Sequence, residues 1–74
     1  MAHNITKTVR LGGSSPSSIE DAVRTVLARA AVTIDEITGF EVKNVTGTVD
    51  ESGVPTSFAV VVDITFVVKE SVHG

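Results

Sequence analysis

The sequence lacks cysteine, tryptophan and tyrosine, and it contains only three phenylalanines among 74 residues. Without cysteine, disulfide bonds, zinc–thiolate sites and cysteine nucleophiles are excluded. A chain of this length buries only about 60% of its unfolded surface, so it lies near the lower limit for folding alone. Because large side chains are scarce, we expect the single domain, residues 1–74, to gain stability by self-association.

The sequence also lacks a surplus of basic residues and a long apolar run. Its formal net charge is −3 at pH 7, which excludes a nucleic-acid partner because phosphate binding needs clustered Lys and Arg. No apolar run approaches the ~18 residues of a membrane span, and the first residues lack the apolar core of a secretory signal. We therefore expect a cytoplasmic protein without a membrane partner, and no metal at His3 or His73 near the termini.

A helical pattern is the clearest signal in the chain. Apolar residues recur at spacings of three and four and form one stripe, made of Ile19, Ala22, Val23, Val26, Leu27, Ala30 and Ile34. Ser15 before Pro16 fits an N-cap followed by proline at the first helical position. These features predict a helix from about residue 16 to about residue 33.

Three segments have the composition of β-strands. NITKTVRL alternates β-branched and polar residues before the helix, and residues 39–49 and 57–68 follow it. Gly53, in the polar connection between the last two segments, favours a turn. The sequence thus predicts an α+β fold of β-α-β-β order, with a three-stranded antiparallel sheet partly wrapped around one helix.

The last strand is apolar on more than one face. Its even positions, 58 to 68, are all apolar, and three of its five odd positions, 59 to 67, are apolar as well. A helix of ~18 residues is about 27 Å long, whereas a strand of 12 residues is about 40 Å long. One helix cannot cover both faces of such a sheet, so we expect identical copies to bury the second face in a homo-oligomer of closed symmetry.

The pairing of the last two strands can be predicted from the position of their turn. If the hairpin pivots near Gly53, the cross-strand pairs are Lys43 with Asp63, Gly47 with Ala59, and Gly39 with Val67. All six residues then lie on the second face. In this interpretation Lys43 and Asp63 form a cross-strand ion pair. The alternative is that the two side chains orient a bound ligand.

The order and spacing of four segments resemble the dodecins, small flavin-binding proteins with a β-α-β-β fold. The segments are VRLGGSS, AVRTVLARAAVTI, FEVKNVTGTV and VVVDITF, and the resemblance extends from about Thr8 to Glu70. Dodecins assemble into hollow dodecamers of cubic symmetry. The resemblance implies a non-enzymatic homododecamer that binds and stores a small ligand.

The resemblance also implies where a flavin (riboflavin or FMN) would bind. In flavin-binding dodecins a tryptophan stands immediately before the Phe-Glu-Val run and stacks on the isoalloxazine ring, and here Gly39 holds that position beside Phe40. The family's flavin-contacting glutamine corresponds to Ala59, and a basic residue corresponds to Val67. The implied cofactor site therefore lacks its stacking ring, its amide and its cation, which predicts weakened or lost flavin binding. The alternative for Gly39 is a kink after the helix.

Hard-cation binding is the other function that we consider. Asn44 is disfavoured inside a strand, and it could offer a carbonyl oxygen to Ca²⁺ together with Glu41 or Asp50, with symmetry multiplying each ligand in an oligomer. The alternative for Asn44 is a solvated strand residue. The D-x-[DN]-x-[DN]-G pattern of an EF-hand is absent. A structural shell without a specific ligand is the third possibility.

Overall fold

The computed structural model describes residues 5–68, which form one helix and a three-stranded sheet. The elements are β1, Ile5–Ser15; α1, Ile19–Thr33; β2, Ile37–Val49; and β3, Pro55–Val68. The sheet is antiparallel, with strand order β1-β3-β2. The predicted α+β fold and its β-α-β-β order are confirmed. His3 and His73 lie outside the described residues.

The helix begins three residues later than predicted. Its N-cap is Ser18, whose side-chain oxygen accepts a hydrogen bond from the backbone N–H of Asp21 at 2.9 Å. The prediction of Ser15 as the cap was wrong because β1 continues to Ser15, which pairs with Phe58. Ser15 is buried, and its hydroxyl donates to Asp21 Oδ2 at 2.6 Å while it accepts from the N–H of Ser17 at 2.9 Å. Ser15 thus ties the end of β1 to the first turn of α1.

One face of the sheet packs against the helix and forms the core. The buried apolar residues are Ala22, Val26 and Ala30 of α1 with Val60, Val62 and Ile64 of β3. The predicted helical stripe is confirmed at its centre, where Val23 and Leu27 also pack against this cluster. The stripe was wrong at Ile19, which opens the helix and is 44% exposed.

We call the sheet face against α1 the inner face and the opposite one the outer face. Since side chains alternate along a strand, the residues between the buried positions of β3 lie on the outer face. These residues are Ala59, Val61, Asp63, Thr65 and Val67, all half-buried within one chain. The described part of the chain places no element over the outer face.

The β2–β3 hairpin closes through the turn that was predicted around Gly53. Gly53 has a φ of 82°, in the left-handed region that favours glycine. The carboxylate of Asp50 accepts hydrogen bonds from the N–H groups of Ser52 at 2.8 Å and Val54 at 3.0 Å. The side chain of Asp50 therefore stabilises the turn.

Candidate functional site

The pairing of β2 with β3 determines which residues share the outer face. Gly39 pairs with Thr65, Glu41 with Asp63, and Asn44 with Val61. The predicted pairs of Gly39 with Val67 and of Lys43 with Asp63 were therefore wrong. The register shifts at three places along the hairpin, between Ile37 and Gly39, Val42 and Asn44, and Thr48 and Val49.

The irregularity at Lys43 changes the face of every residue after it. Lys43 is an extra residue between Val42 and Asn44, whose partners Val62 and Val61 are adjacent. A β-bulge of this kind inserts one residue into a strand, and a shift of one residue moves side chains to the other face. Gly47 therefore pairs with Phe58 on the inner face, and its predicted place opposite Ala59 was wrong.

Gly39 is a bare position on the outer face. Within residues 5–68, nothing lies within 4 Å of the place that a Cβ at Gly39 would occupy. Positive φ angles in this part of the chain occur at Glu36 and Gly53, and not at Gly39. The backbone of Gly39 therefore has an ordinary conformation that does not require glycine. A larger side chain there would project into open space beside Thr65.

The four residues of the implied flavin site are only partly brought together in one chain. Val67 lies on the outer face two residues from Thr65, the partner of Gly39. Ala59 is on the same face but six residues along β3 from Thr65, about 20 Å away. Phe40 pairs with Ile64 on the inner face and is 53% exposed. A small ligand that contacts both Gly39 and Ala59 would therefore need a second copy of the chain to supply one of the two residues.

Charged side chains cross the middle of the outer face. Arg10 donates two hydrogen bonds to Asp63, from Nε to Oδ1 at 2.7 Å and from an Nη atom to Oδ2 at 3.1 Å. This bidentate bond holds the pKa of the Asp63 carboxyl below its ordinary value and raises the pKa of Arg10. Lys43 instead contacts Glu41, with Nζ 3.5 Å from Oε2.

The contact of Arg10 with Asp63 was not predicted from the sequence. Arg10 lies directly opposite Asp63 in the β1–β3 pairing, and Thr8, two residues earlier in β1, lies opposite Thr65. The alternation of NITKTVRL would have placed Arg10 on the same face as Thr8. The identity of its neighbour, however, depends on the register of two strands that are far apart in the chain.

The three candidate metal ligands do not form a cluster within one chain. Glu41 and Asn44 share the outer face because the bulge at Lys43 lies between them. Asp50 lies six residues beyond Asn44, about 20 Å along the strand, and its Oδ1 atom accepts both hydrogen bonds of the hairpin turn. Among residues 5–68, no three His, Asp or Glu side chains come close enough to hold a metal ion.

Two open depressions lie at opposite ends of the sheet. One has a volume of about 280 Å³ and is lined by the segment from Thr33 to Glu36 and by Phe66, Val67 and Val68. The other, of about 340 Å³, lies at the hairpin end and is lined by residues 45–49 with Pro55, Ser57 and Phe58. Gly39 and Ala59 line neither depression.

Comparison with known proteins identifies the family. The family model for dodecins matches residues 5–69. The chain belongs to the dodecin family. A curated dodecin from Thermus thermophilus is 38% identical over 65 residues, which represent 88% of this chain and 93% of that protein. The family consists of small flavin-binding proteins that are not enzymes.

Solved dodecin structures share the fold described above. A crystal structure of Thermus thermophilus dodecin with one arginine-to-alanine substitution has a TM-score of 0.83 and 37% identity, covering 92% of this chain and all (100%) of that one. Calcium dodecin from Mycobacterium tuberculosis has a TM-score of 0.73 at 24% identity and covers 95% of this chain and 99% of that one. The second likeness concerns the fold alone. The described residues of this dodecin contain one helix, α1, and it is not long and apolar enough to cross a membrane.

Proposed function

We propose that this dodecin is a non-enzymatic subunit of a hollow homododecamer that binds and stores a small ligand between copies. The observation that carries the proposal is the open position at Gly39 on an outer face that the described chain leaves uncovered. The separation of Gly39 from Ala59 within one chain further supports a site completed by a second copy. A cytoplasmic location stays a prediction from the sequence.

The dimensions of the chain favour assembly. Its Cα radius of gyration is 16.0 Å, whereas a compact chain of this length would have a radius of about 11 Å. The outer face is about 46 Å long and about 14 Å wide, from the spacings of residues and strands in a sheet, or roughly 600 Å². A stable interface buries about 800 Å² per partner. The outer face alone therefore supplies most of a standard interface.

Flavin binding is expected to be weak in this assembly. Loss of an aromatic stack removes about 0.5–1.5 kcal/mol beyond area burial, and loss of one hydrogen bond removes about 1 kcal/mol more. A site lined by two copies loses both contributions twice. At about 1.4 kcal/mol per tenfold, riboflavin or FMN should bind more than about hundredfold more weakly than to a dodecin that has both contacts.

Restoring the ring at Gly39 tests the flavin site directly. Gly39→Trp should fit because the position is open, and the new indole would be the chain's only tryptophan, free of background from tyrosine. We expect the wild type to leave riboflavin fluorescence unquenched up to high micromolar flavin. The Gly39→Trp variant should bind riboflavin at least tenfold more tightly, with mutual quenching of indole and flavin.

Gly39→Leu is the matched control, since it fills the same space without an aromatic face. It should not restore quenching. Tight flavin binding by the wild type, unaffected by either substitution, would show that Gly39 is not at the site. If neither the wild type nor Gly39→Trp binds while native mass spectrometry finds a dodecamer, the flavin site is lost and the assembly stands.

Calcium is the second candidate ligand. The bulge at Lys43 favours it because it puts the Glu41 carboxylate and the Asn44 amide on one face, both hard oxygen donors. The remaining ligands, Asp50 among them, would come from other copies, and Lys43 would have to leave Glu41.

The calcium proposal predicts a metal-dependent melting temperature. A chelator should lower the melting temperature of the wild type and added Ca²⁺ should restore it, because a ligand that binds only the native state stabilises it. Asn44→Leu should abolish this dependence. A melting temperature that ignores both treatments, with no calcium found by elemental analysis, would contradict calcium binding. If flavin also fails to bind, a structural shell without a specific ligand is left.

A further inference from the structure

The open position at Gly39 adjoins the depression at the same end of the sheet. Gly39 pairs with Thr65, and Val67 follows Thr65 by two residues on the outer face, about 7 Å along β3. Val67 also lines the depression of about 280 Å³. The gap above Gly39 and the depression therefore share Val67 as a wall, and we call the two together the Gly39 cavity.

The Gly39 cavity is largely apolar, and no aromatic ring stands on its outer-face side. The apolar residues that line the depression are Ile34, Phe66, Val67 and Val68. All three phenylalanines of the sequence lie on the inner face of the sheet, so no copy of the chain can stack a ring on a ligand at Gly39 from the outer face. A ligand there gains affinity by burial of apolar surface against aliphatic side chains.

Among the described residues, the cations of the outer face are already paired. Arg10 binds Asp63 through two hydrogen bonds, and Lys43 contacts Glu41. Val67 holds the position where the resemblance to flavin-binding dodecins places a basic residue. A phosphate or carboxylate buried here would lack a partner, and an unpaired buried charge is costly. The cavity therefore disfavours an anionic ligand such as FMN.

Negative charge lies at the end of the cavity that the depression forms. Asp35 and Glu36 line the depression and are exposed, whereas none of its lining residues is basic. Lys7, on the inner face of β1, is not among them. The lining also includes Thr33 at the end of α1, whose last turn has no basic residue to offset the partial negative charge of its carbonyl end. A cleft lined by one sign of charge attracts the opposite sign.

We propose that the Gly39 cavity binds a flat apolar cation, with its apolar body over Gly39 and Val67 and its positive charge toward Asp35 and Glu36. This inference rests on the proposed function, since a second copy would cover the outer face and bury the body of the ligand. The cavity has room for such a body because nothing within residues 5–68 fills the space above Gly39. The charge preference is the reverse of that expected where a basic residue stands in place of Val67.

Two dyes of similar shape and different charge test this preference. Proflavine and lumichrome each have three fused rings and no ribityl chain, but at neutral pH proflavine is a cation and lumichrome is neutral. We expect the wild type to bind proflavine at least about tenfold more tightly than lumichrome, because the charge lies close to two carboxylates. Fluorescence titration measures both affinities, and added salt should weaken the binding of proflavine only.

Substitutions at the two ends of the cavity separate shape from charge. Gly39→Leu fills the gap and should weaken the binding of both dyes about tenfold. Asp35→Lys should weaken proflavine binding about tenfold and leave lumichrome binding unchanged. Glu51→Lys, in the hairpin turn at the other end of the sheet, changes the net charge by the same amount. It is the matched control and should affect neither dye.

A milder variant guards against a change of assembly. Asp35→Asn keeps the shape of the side chain and should weaken proflavine binding about threefold, and unchanged binding would overturn the inference. Equal affinities of the wild type for the two dyes would overturn it as well, and so would equal effects of Asp35→Lys and Glu51→Lys on proflavine.

Native mass spectrometry distinguishes failure of this inference from failure of the proposed function. A wild type that forms a dodecamer and binds neither dye would overturn the inference and leave the proposed assembly standing. A wild type that is monomeric at micromolar concentration would overturn the proposed function itself. The same measurement on each variant shows whether a loss of dye binding comes from the cavity or from a lost assembly.

Discussion

Substitution of Gly13 by alanine tests how closely the helix approaches the sheet. A Cβ at Gly13 would lie 2.5 Å from Cγ2 of Val26, closer than real Cβ contacts come. Val26 is buried, with 4% of its surface exposed. Because valine in a helix has one strongly preferred χ1 rotamer, its methyl group cannot turn away without cost. Either the helix moves outward or the valine becomes strained.

The net effect follows from two opposing contributions. Overpacking of a core costs about 1–3 kcal/mol, whereas replacement of glycine stabilises by about 0.4–1 kcal/mol through the unfolded state. Gly13→Ala should therefore destabilise the fold by about 1–2 kcal/mol. For a domain of this size, 1 kcal/mol shifts the melting temperature by about 4–8 °C. A loss of at least about 4 °C is expected.

The neighbouring Gly12 provides a matched control. A Cβ at Gly12 would lie 3.6 Å from the carbonyl oxygen of Val60, which is ordinary van der Waals contact. Gly12→Ala should therefore leave the melting temperature unchanged or raise it slightly. Both variants and the wild type must be melted at one protein concentration, because the proposed self-association would make the melting temperature depend on concentration.

The outcome that would refute the close approach is a Gly13→Ala variant at least as stable as Gly12→Ala. A double-mutant cycle adds a second test. Val26→Ala removes the methyl group that meets the new Cβ, so Gly13→Ala should cost less in the Val26→Ala background than in the wild type. Additive effects would mean that the two positions do not touch and that the helix lies farther from β1.

Three further predictions concern the hairpin, the outer face and the helix cap. Gly47→Ala should destabilise the hairpin by about 1–3 kcal/mol in urea unfolding, because its Cβ would lie 2.6 Å from the backbone oxygen of Ser57; an unchanged midpoint would contradict this. The lowered pKa of Asp63 gives the folded state stability that is present above the ordinary aspartate pKa and is lost as the pH falls through the lowered value. The free energy of unfolding of Asp63→Asn should therefore depend less on pH below about 4 than that of the wild type. Equal pH profiles for the two proteins would rule this out. Ser18→Ala should cost about 1 kcal/mol in urea unfolding by loss of the N-cap, and no loss would mean that Ser18 does not cap the helix.

The sequence predicted element types well because they depend on local patterns. The apolar spacing from Ala22 to Ala30 and the even positions of β3 each indicate one apolar face, and the structure buries the centre of both, with Val60, Val62 and Ile64 buried on β3. The first residue of the helix was harder to predict because both Ser15 and Ser18 fit the N-cap position. Ser18 followed by Asp21 is itself a capping pattern. Ser15 instead belongs to β1 because it pairs with Phe58, and no local sequence pattern indicates that pairing.

The site was predicted less well than the fold because it depends on strand register. The extra residue at Lys43 moved Gly47 to the inner face, and together with the shift between Thr48 and Val49 it placed Glu41, in place of Lys43, opposite Asp63. Gly39 precedes the bulge, so its predicted face was right although its partner was not. Bulges arise from the fit of two strands to the twist of the whole sheet. The predicted pairing failed even beside the turn, where Val49 pairs with Pro55 and Gly47 pairs with Phe58, because a further shift lies between Thr48 and Val49.

The charges on the outer face explain how this surface could be buried without tryptophan at Gly39. Asp63 and Glu41 each have a cationic partner within one chain, in Arg10 and Lys43. A second copy covering this face would desolvate ion pairs, which is less costly than burying lone charges, while removal of one partner would leave its mate uncompensated. Asp63→Asn should therefore weaken assembly more than it weakens the fold of the single chain. In the proposed assembly these ion pairs and the valines of the outer face would form the contact between copies, so we expect a ring at Gly39 to change ligand affinity and not the scaffold.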